Sequence, residues 1–416
     1  MTSARERLAA LLPADPAQRT WAWATLANTA GNGMFFTISA IYFTASVGLS
    51  PAQVGVGLTV AGLCGLLAGV PAGHIGDVRG PRNILVGLAF VEGAGVAAYT
   101  LVHGFVGFLL LACLVTTVDR AGNAVRSGLI AALGSPGERV RLRAYLRAVT
   151  NVGITIGAPV GGLALAFDTR PAYVAVILLD ALTFVVAGLL ILRVPAVPAN
   201  PHTGDGPRLV VLRDHPFVAV VVLNAVLALH FGLIEVAVPL WVTHHTSAPK
   251  WVVAVLLVIN TVSVVLFQVR ASRGVVTVAQ GARALRRAGL VLAVACLVFA
   301  GSGSVPATAA VVLLVAAALV EVTGELLQSA GGWAVSFGLA PEDRQGQYQG
   351  LFSTGFAASS MLAPAVLTGL CVTWGWPGWL VVAAVFAVAG LASGPVVGVA
   401  ARRAAAAGDL AATGAT

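Results

Sequence analysis

Long apolar stretches alternate with short polar segments along almost the whole chain. Twelve of these stretches are long enough to form helices that cross a lipid bilayer, which takes about 20 residues. They cover residues 21–46, 51–73, 82–103, 105–130, 141–166, 171–193, 215–242, 250–270, 286–304, 307–338, 346–373 and 376–400. This pattern predicts an all-α polytopic membrane protein, because an outer-membrane barrel would alternate apolar and polar residues in segments of about ten.

The composition indicates the same class of protein. Of 416 residues, 58% are hydrophobic and 10% are charged, whereas soluble domains carry about 25% charged residues. Most arginines lie in the tails and in alternate loops. The loops on the opposite side contain only two basic residues of the arginine and lysine type, Arg170 and Lys250. This bias predicts a plasma-membrane protein with both termini in the cytoplasm. The net charge of +8 is spread along the membrane flanks, so no nucleic-acid partner is expected.

A segment rich in proline and glycine divides the twelve spans into two sets of six. We predict a cytoplasmic linker at residues 195–214, between six-helix bundles at 21–194 and 215–400. Residues 1–20 and 401–416 are predicted to be cytoplasmic tails.

A turn that contains glycine, aspartate and arginine separates the second and third spans. Its key residues are Gly73, Asp77, Arg79, Gly80 and Arg82. The segment resembles the loop between spans 2 and 3 of the major facilitator superfamily, G-x-x-x-D-x-x-G-x-[RK], although Val78 and Pro81 stand where that family usually has basic residues. The resemblance implies the twelve-helix major facilitator fold with two six-helix halves, and a gating role for these five residues.

Asp77 leads to a testable prediction about gating. We expect it to stabilise the outward-open state by contacting the N-terminal end of the eleventh span, near residues 345–349. A helix N-terminus attracts an anion by roughly 0.3–1 kcal/mol, and by up to about 2 kcal/mol when partly buried. The Asp77→Asn variant should therefore transport more slowly while its expression and substrate binding stay intact. Transport kinetics in proteoliposomes check this prediction, and unchanged kinetics would contradict it.

A second glycine-rich stretch lies in the fifth span. Its key residues are Gly153, Gly157, Pro159, Gly161 and Gly162. The stretch resembles the G-x-x-x-G-P-x-x-G-G motif of antiporters in the same superfamily, with the proline displaced by one position, and the resemblance implies an exporter. The alternative is a bent packing interface, because glycine and proline let helices bend and approach closely.

Ionisable residues inside membrane spans are costly, so each is a functional candidate. The spans that line the cavity in the resembled family contain Asp119, Arg120, Glu235, Glu321 and Glu325. Glu321 and Glu325 are four residues apart and share one helical face. Burial and like charge would let at least one of them bind and release a proton near neutral pH. Alternatively, both are hydrated in a wide cavity and titrate normally.

Two further polar residues have competing interpretations. Arg120 resembles the fourth-span arginine of drug–proton antiporters, but Asn123 stands where a glutamine usually follows. A structural ion pair, for example between Arg120 and Glu92, is the alternative. His230 could shuttle protons, but a single histidine on an apolar helix is more often a hydrogen-bonded packing residue.

Neutral polar side chains in the spans are candidates for substrate binding. They are Asn28, Asn32, Asn123, Asn224, Asn260 and Gln328. The tryptophans near the span ends are expected in interfacial belts; these are Trp21, Trp23, Trp374, Trp376 and Trp379.

The chain is not expected to be an enzyme. It contains a single lysine and no G-x-x-x-x-G-K-[ST], H-E-x-x-H or G-x-S-x-G motif. The four cysteines lie in apolar spans without C-x-x-C spacing, so neither a disulfide framework nor a metal site is expected, and no cofactor is implied.

The preferred interpretation is secondary active transport, with proton-coupled efflux (antiport) of an amphipathic drug or metabolite by alternating access. One alternative is proton-coupled transport of a small polar metabolite such as a sugar, an amino acid or an organic acid. Another is a membrane sensor that does not transport. We expect a monomer whose partners are a small-molecule substrate, protons and the lipid bilayer.

Overall fold

The structure is a computed structural model that describes residues 15–132, 135–196 and 210–413. Most of the predicted N-terminal tail and linker, and the end of the C-terminal tail, lie outside the described residues. Within the described residues the fold is helical, with twelve spans in the predicted order, so the all-α twelve-helix prediction is confirmed.

The first six spans correspond to one helix each. They are α1 (Pro16–Ile41), α2 (Pro51–Arg79), α3 (Pro81–Ala98), α4 (Phe105–Ala132), α5 (Pro136–Phe167) and α6 (Arg170–Ile191). A π-helical turn, Tyr42–Ser46, extends α1, and a 3₁₀ turn, Tyr99–Leu101, extends α3.

The last six spans include one interrupted helix. They are α7 (His215–His245), α8 (Val252–Ser272), α9 (Val278–Gly301), α10 (Ala307–Leu339), α11 (Gln345–Leu367) and α12 (Trp376–Thr413). Within α7, regular α-helix ends at Ala228, a π-helical turn covers Leu233–Ala237, and α-helix resumes at Val238. A π-helical turn, Thr368–Thr373, extends α11.

Eleven of the described helical segments are long and apolar enough to cross a membrane. The helix that does not meet this criterion is α1, whose central turns contain the polar residues Asn28 and Asn32. Many large apolar side chains on the other spans are exposed, for example Leu67 at 79% and Val388 at 66%. Such exposure suits a surface that faces lipid rather than water.

The chain forms two compact units. The first comprises Met1–Ala132 and Val149–Gly206, and the second comprises Leu133–Ala148 and Pro207–Thr416. The N-terminal part of α5 therefore belongs to the second unit, and the rest of α5 belongs to the first.

Local sequence signals explain where several helices begin. Pro51 and Pro81 occupy the first turns of α2 and α3, where a missing backbone N–H costs least. Ser50 and Gln53 form a reciprocal capping box at the start of α2. Gly80, with φ +86°, is the single residue between α2 and α3, and this backbone conformation favours glycine.

An aromatic core fills one end of the first unit. The Phe43 and Phe108 ring centroids are 4.5 Å apart, and the Tyr42 hydroxyl donates to the Tyr99 carbonyl at 3.1 Å. These contacts fix the ends of α1, α3 and α4 against one another.

The prediction of interfacial tryptophan belts is wrong for Trp21 and Trp379. Trp21 is 1% exposed and lies inside the first unit, and Trp379 is 0% exposed. The Trp379 ring centroid lies 5.7 Å from that of Trp241 within the second unit. Trp23, Trp374 and Trp376 are exposed, as expected. Sequence position near a span end therefore did not decide burial; the packing of neighbouring helices did.

Candidate functional site

The interruption of α7 places a histidine inside the second unit. His230 lies between the end of regular helix at Ala228 and the π-helical turn at Leu233–Ala237. Its side chain is 0% exposed. Interruptions of this kind free backbone groups and are frequent at functional sites.

His230 contacts one of the two paired glutamates of α10. Its Nδ1 lies 3.0 Å from Oε1 of Glu321, and both side chains are fully buried. Which of the two atoms carries the proton depends on the histidine tautomer. An imidazole and a carboxylate in contact can hold a proton between them, and the pair is then neutral.

The second glutamate has a different set of partners. Glu325, 3% exposed, receives a charge-assisted hydrogen bond on Oε1 from Nη2 of Arg147, from the N-terminal part of α5. Nδ2 of Asn260, from α8, donates to Oε2 at 2.7 Å. The Arg147 guanidinium carbon lies 4.6 Å from the Phe231 ring centroid, close enough for cation–π attraction.

These contacts define the α10 cluster, consisting of Arg147, His230, Asn260, Glu321 and Glu325. All five residues belong to the second unit. Buried charges are tolerated when they are paired and hydrogen-bonded, and here each carboxylate has its own partner. The α10 cluster is thus a set of mutually paired polar side chains in an otherwise apolar helix bundle.

The geometry of the α10 cluster also bears on metal binding. His230, Glu321 and Glu325 present ligand atoms that lie within 4.8 Å of one another. The Arg147 guanidinium, however, already supplies a positive charge against Glu325. The cluster therefore has its own cation, and the sequence-based prediction of no metal site stays a prediction.

Predicted cavity residues extend the polar surface along α10. Gln328 donates from Nε2 to Oδ1 of Asn224 on α7 at 2.8 Å, and both are buried. Gln328 lies one turn beyond Glu325, so the polar face of α10 contacts α7 and α8. Glu235 lies in the π-helical turn and is exposed, close enough to Glu325 and His230 to interact electrostatically.

The predicted residues of α4 form a separate stripe in the first unit. Nε of Arg120 lies 3.8 Å from Oδ2 of Asp119, with both side chains more than a third exposed. Asn123 donates from Nδ2 to Oδ1 of Asp119 at 3.1 Å and accepts from Nη1 of Arg126 at 3.3 Å. Among the described residues Arg120 therefore pairs with its neighbour Asp119 rather than with Glu92.

A small cavity of about 20 Å³ lies inside the first unit, which is room for about one water molecule. Its polar lining includes Thr25, Asn28, Glu92 and Arg126. Nδ2 of Asn28 is buried without a hydrogen-bond partner in the described chain. Asn32, one turn further along α1, is half-buried. The cavity suits a bound water better than a substrate.

The glycines of the fifth span lie directly against α1. A Cβ on Gly153 would lie 2.0 Å from Oγ1 of Thr29, and a Cβ on Gly161 would lie 2.6 Å from the Met34 carbonyl oxygen. Gly157 meets the Ala30 carbonyl in the same way, whereas Gly162 faces open space. Pro159 lies inside α5 between the close contacts. This supports the packing-interface interpretation and leaves the exporter interpretation a prediction.

The predicted gating residues lie at the junction of α2 and α3. Gly73 and Gly80 are buried, Asp77 is half-buried and Arg79 is exposed. Arg82 donates from Nη1 to the Val194 carbonyl at 3.0 Å, which ties the start of α3 to the end of α6. Their gating role stays a prediction.

Sequence reasoning missed Arg147 and underrated His230. The positive-inside pattern groups Arg147 with the arginines of the membrane flanks, although it lies six residues inside the predicted span at 141–166. That depth was the available signal, because an arginine inside a span needs a partner. For His230, the signal was a polar residue five positions before an acid, Glu235, in an apolar span.

Comparisons with known proteins agree with the fold. The Major Facilitator Superfamily matches residues 21–364. A Deinococcus radiodurans protein named "Putative sugar efflux transporter" is 31% identical over 314 residues, which cover 70% of this chain and 76% of that protein. A solved bacterial homologue of the iron transporter ferroportin has a TM-score of 0.74 at 15% identity, covering 93% of this chain and 100% of that one. For the human organic anion transporter TETRAN the TM-score is 0.69 at 14% identity, covering 91% of this chain and 100% of that one. The chain is therefore a multi-pass membrane protein that belongs to the Major Facilitator Superfamily.

Proposed function

We propose that this protein is a proton-coupled exporter of a small polar metabolite of the sugar class, working by alternating access in the plasma membrane. The observation that carries the proposal is the α10 cluster. Two glutamates on one helical face are buried, and one of them contacts a buried histidine. Ionisable groups inside a membrane bundle usually mark ion or substrate pathways. In the proposed cycle, protons enter down their gradient as the substrate leaves.

The polar substrate class is supported by two features. The relative from Deinococcus radiodurans is named as a sugar efflux transporter. Beside the acids, Asn224, Asn260 and Gln328 supply amide groups, which can both donate to and accept from sugar hydroxyls. This moves the preferred substrate from an amphipathic drug towards the polar alternative.

Export of an amphipathic drug is the second candidate. The aromatic side chains of Phe231 and Phe356 lie near the cluster, with ring centroids 5.3 Å apart, and such an apolar wall would suit an amphipathic ligand. The antiporter-like glycines of α5 support export for both substrate classes.

An efflux assay in intact cells tests direction and substrate class together. Cells that express the protein and are preloaded with a labelled, non-metabolised sugar should retain less of it when energised. A protonophore should abolish the difference, because export then lacks its driving force. Cells that express the Glu321→Gln variant provide the inactive control. The matched active control is Glu342→Gln, which changes an exposed glutamate in the 3₁₀ turn just before α11.

The alternative results lead to different conclusions. Energy-dependent accumulation of the sugar would make the protein an importer. Export of a lipophilic dye without export of any sugar would favour the drug candidate. Retention that is equal with and without the protein, for both probes, would contradict the proposed function.

A further inference from the structure

The two carboxylates of the α10 cluster have partners of different chemistry. We infer from this that Glu321, together with His230, carries the coupled proton, while Glu325 stays ionised with Arg147 as its fixed counter-ion. The assignment rests on the proposed proton-coupled function and identifies the group that performs it. The two glutamates of α10 therefore have distinct roles, although the sequence alone does not distinguish them.

Both oxygens of Glu325 accept hydrogen bonds from groups that can only donate. Arg147 donates to Oε1, and Asn260 donates from Nδ2 to Oε2. A guanidinium and an amide nitrogen have no acceptor capacity. A proton on Glu325 would occupy one of these lone pairs and remove the negative charge that faces Arg147, which weakens the charge-assisted hydrogen bond. The contacts favour an ionised Glu325 whose charge is balanced by Arg147.

Glu321 has the opposite arrangement. Its Oε1 faces Nδ1 of His230, an atom that donates or accepts according to the tautomer. Its Oε2 is buried and accepts no hydrogen bond of standard geometry from the described residues, although the Asn260 amide that donates to Glu325 also lies close enough to interact with Glu321. This oxygen can take a proton without losing an existing hydrogen bond. With that proton the His230–Glu321 pair is neutral, and without it the pair leaves a buried negative charge that needs a new donor.

A hydroxyl group of the substrate can be that donor. When the substrate binds, the Oε2–H bond of Glu321 breaks and the proton passes to water. The substrate hydroxyl then donates to the ionised Oε2. Because linkage is reciprocal, a returning proton weakens substrate binding by the same factor. Proton and substrate thus compete for one oxygen atom, as export in exchange for protons requires.

Other ionisable groups also face the two carboxylates. In the described chain these are His230 and Glu235 from α7, Arg147 from α5 and the Cys296 thiol from α9. Arg147 is the permanent cation among them. Arg147 acts as a positioning residue. Because it holds Glu325 in the ionised form, the proton binds to Glu321.

Infrared titration of the purified full-length protein in detergent tests the assignment without substrate. The carbonyl stretch of a protonated carboxyl group is separate from the bands of ionised carboxylates. As the pH is lowered, wild-type protein should gain an acid band that the Glu321→Gln variant lacks and the matched Glu342→Gln variant keeps. Arg147→Gln should add a second titrating band, because Glu325 loses its counter-ion, and Arg147→Lys should not.

The outcomes separate this assignment from the proposed function. Persistence of the band in Glu321→Gln, or an unchanged spectrum in Arg147→Gln, would overturn the assignment. If Arg147→Gln does not fold, the charge-neutral double variant Arg147→Gln/Glu325→Gln replaces it; it should keep the Glu321 band, and loss of that band would also overturn the assignment. An intact Glu321 band without proton release on sugar addition would leave the assignment of the proton to Glu321 in place, and would contradict the proposed function and the competition between proton and sugar.

Discussion

Replacing Glu321 and Glu325 together by glutamine should abolish both proton release on substrate binding and uphill transport. Coupling between two ligands is typically worth 1–3 kcal/mol, or about 5- to 150-fold in affinity. In the wild-type protein, substrate affinity should therefore fall by about this factor when the coupling site is protonated. In the double variant the affinity should lose this dependence on pH, because neither glutamate can exchange a proton for the substrate.

The measurement is proton release in weak buffer when sugar is added to detergent-solubilised protein, followed by transport in proteoliposomes against a pH gradient. The Glu342→Gln variant controls for the change of one exposed carboxylate. Removing Glu325 alone leaves the half-buried Arg147 without its counter-ion, and breaking a buried ion pair in this way can cost up to about 3–5 kcal/mol. Adding Arg147→Gln to the double variant restores neutrality, so a loss of coupling can be separated from a loss of folding. Continued proton release would move the site to Glu235 or Asp119.

Replacing Gly157 by alanine should destabilise the first unit more than any other single methyl group added to the fifth span. The new Cβ would lie 1.9 Å from the Ala30 carbonyl oxygen and 3.0 Å from the Met34 nitrogen, both of which are backbone atoms of α1. Backbone atoms cannot rotate away, so α1 and α5 would have to separate. Overpacking of this kind typically costs about 1–3 kcal/mol, and occasionally more.

Gly162→Ala is the matched control for this prediction. A Cβ at Gly162 meets nothing within 4 Å, and alanine is favoured over glycine in helix interiors by up to about 1 kcal/mol. The apparent melting temperature in detergent should therefore fall for Gly157→Ala and stay equal or rise for Gly162→Ala. Equal melting temperatures for the two variants would show that α1 and α5 do not pack as described.

The comparison of these two glycines shows where the sequence motif was informative. The spacing of Gly153, Gly157 and Gly161 predicted a close helix approach because small residues four apart share one face. The motif could not name α1 as the partner helix. It also could not show that Gly162, within the same pattern, faces open space.

For the α10 cluster, too, the sequence predicted some features and not others. The helical period alone placed Glu321 and Glu325 on one face, and Gln328 one turn further along it. Their partners come from distant parts of the chain, since Arg147 is 178 positions from Glu325 and His230 is 91 positions from Glu321. Local periodicity contains no information about contacts of that separation.

The sequence by itself determined the number of spans, their apolar character and the pairing of two acids on one helix. Those properties depend on residue type and on the fixed period of a helix, and both can be read along the chain. Only the tertiary structure decided that one acid meets a histidine and the other an arginine, and that Trp21 and Trp379 are buried. These outcomes depend on how helices distant in sequence pack side by side, because packing alone brings one side chain within hydrogen-bond distance of another.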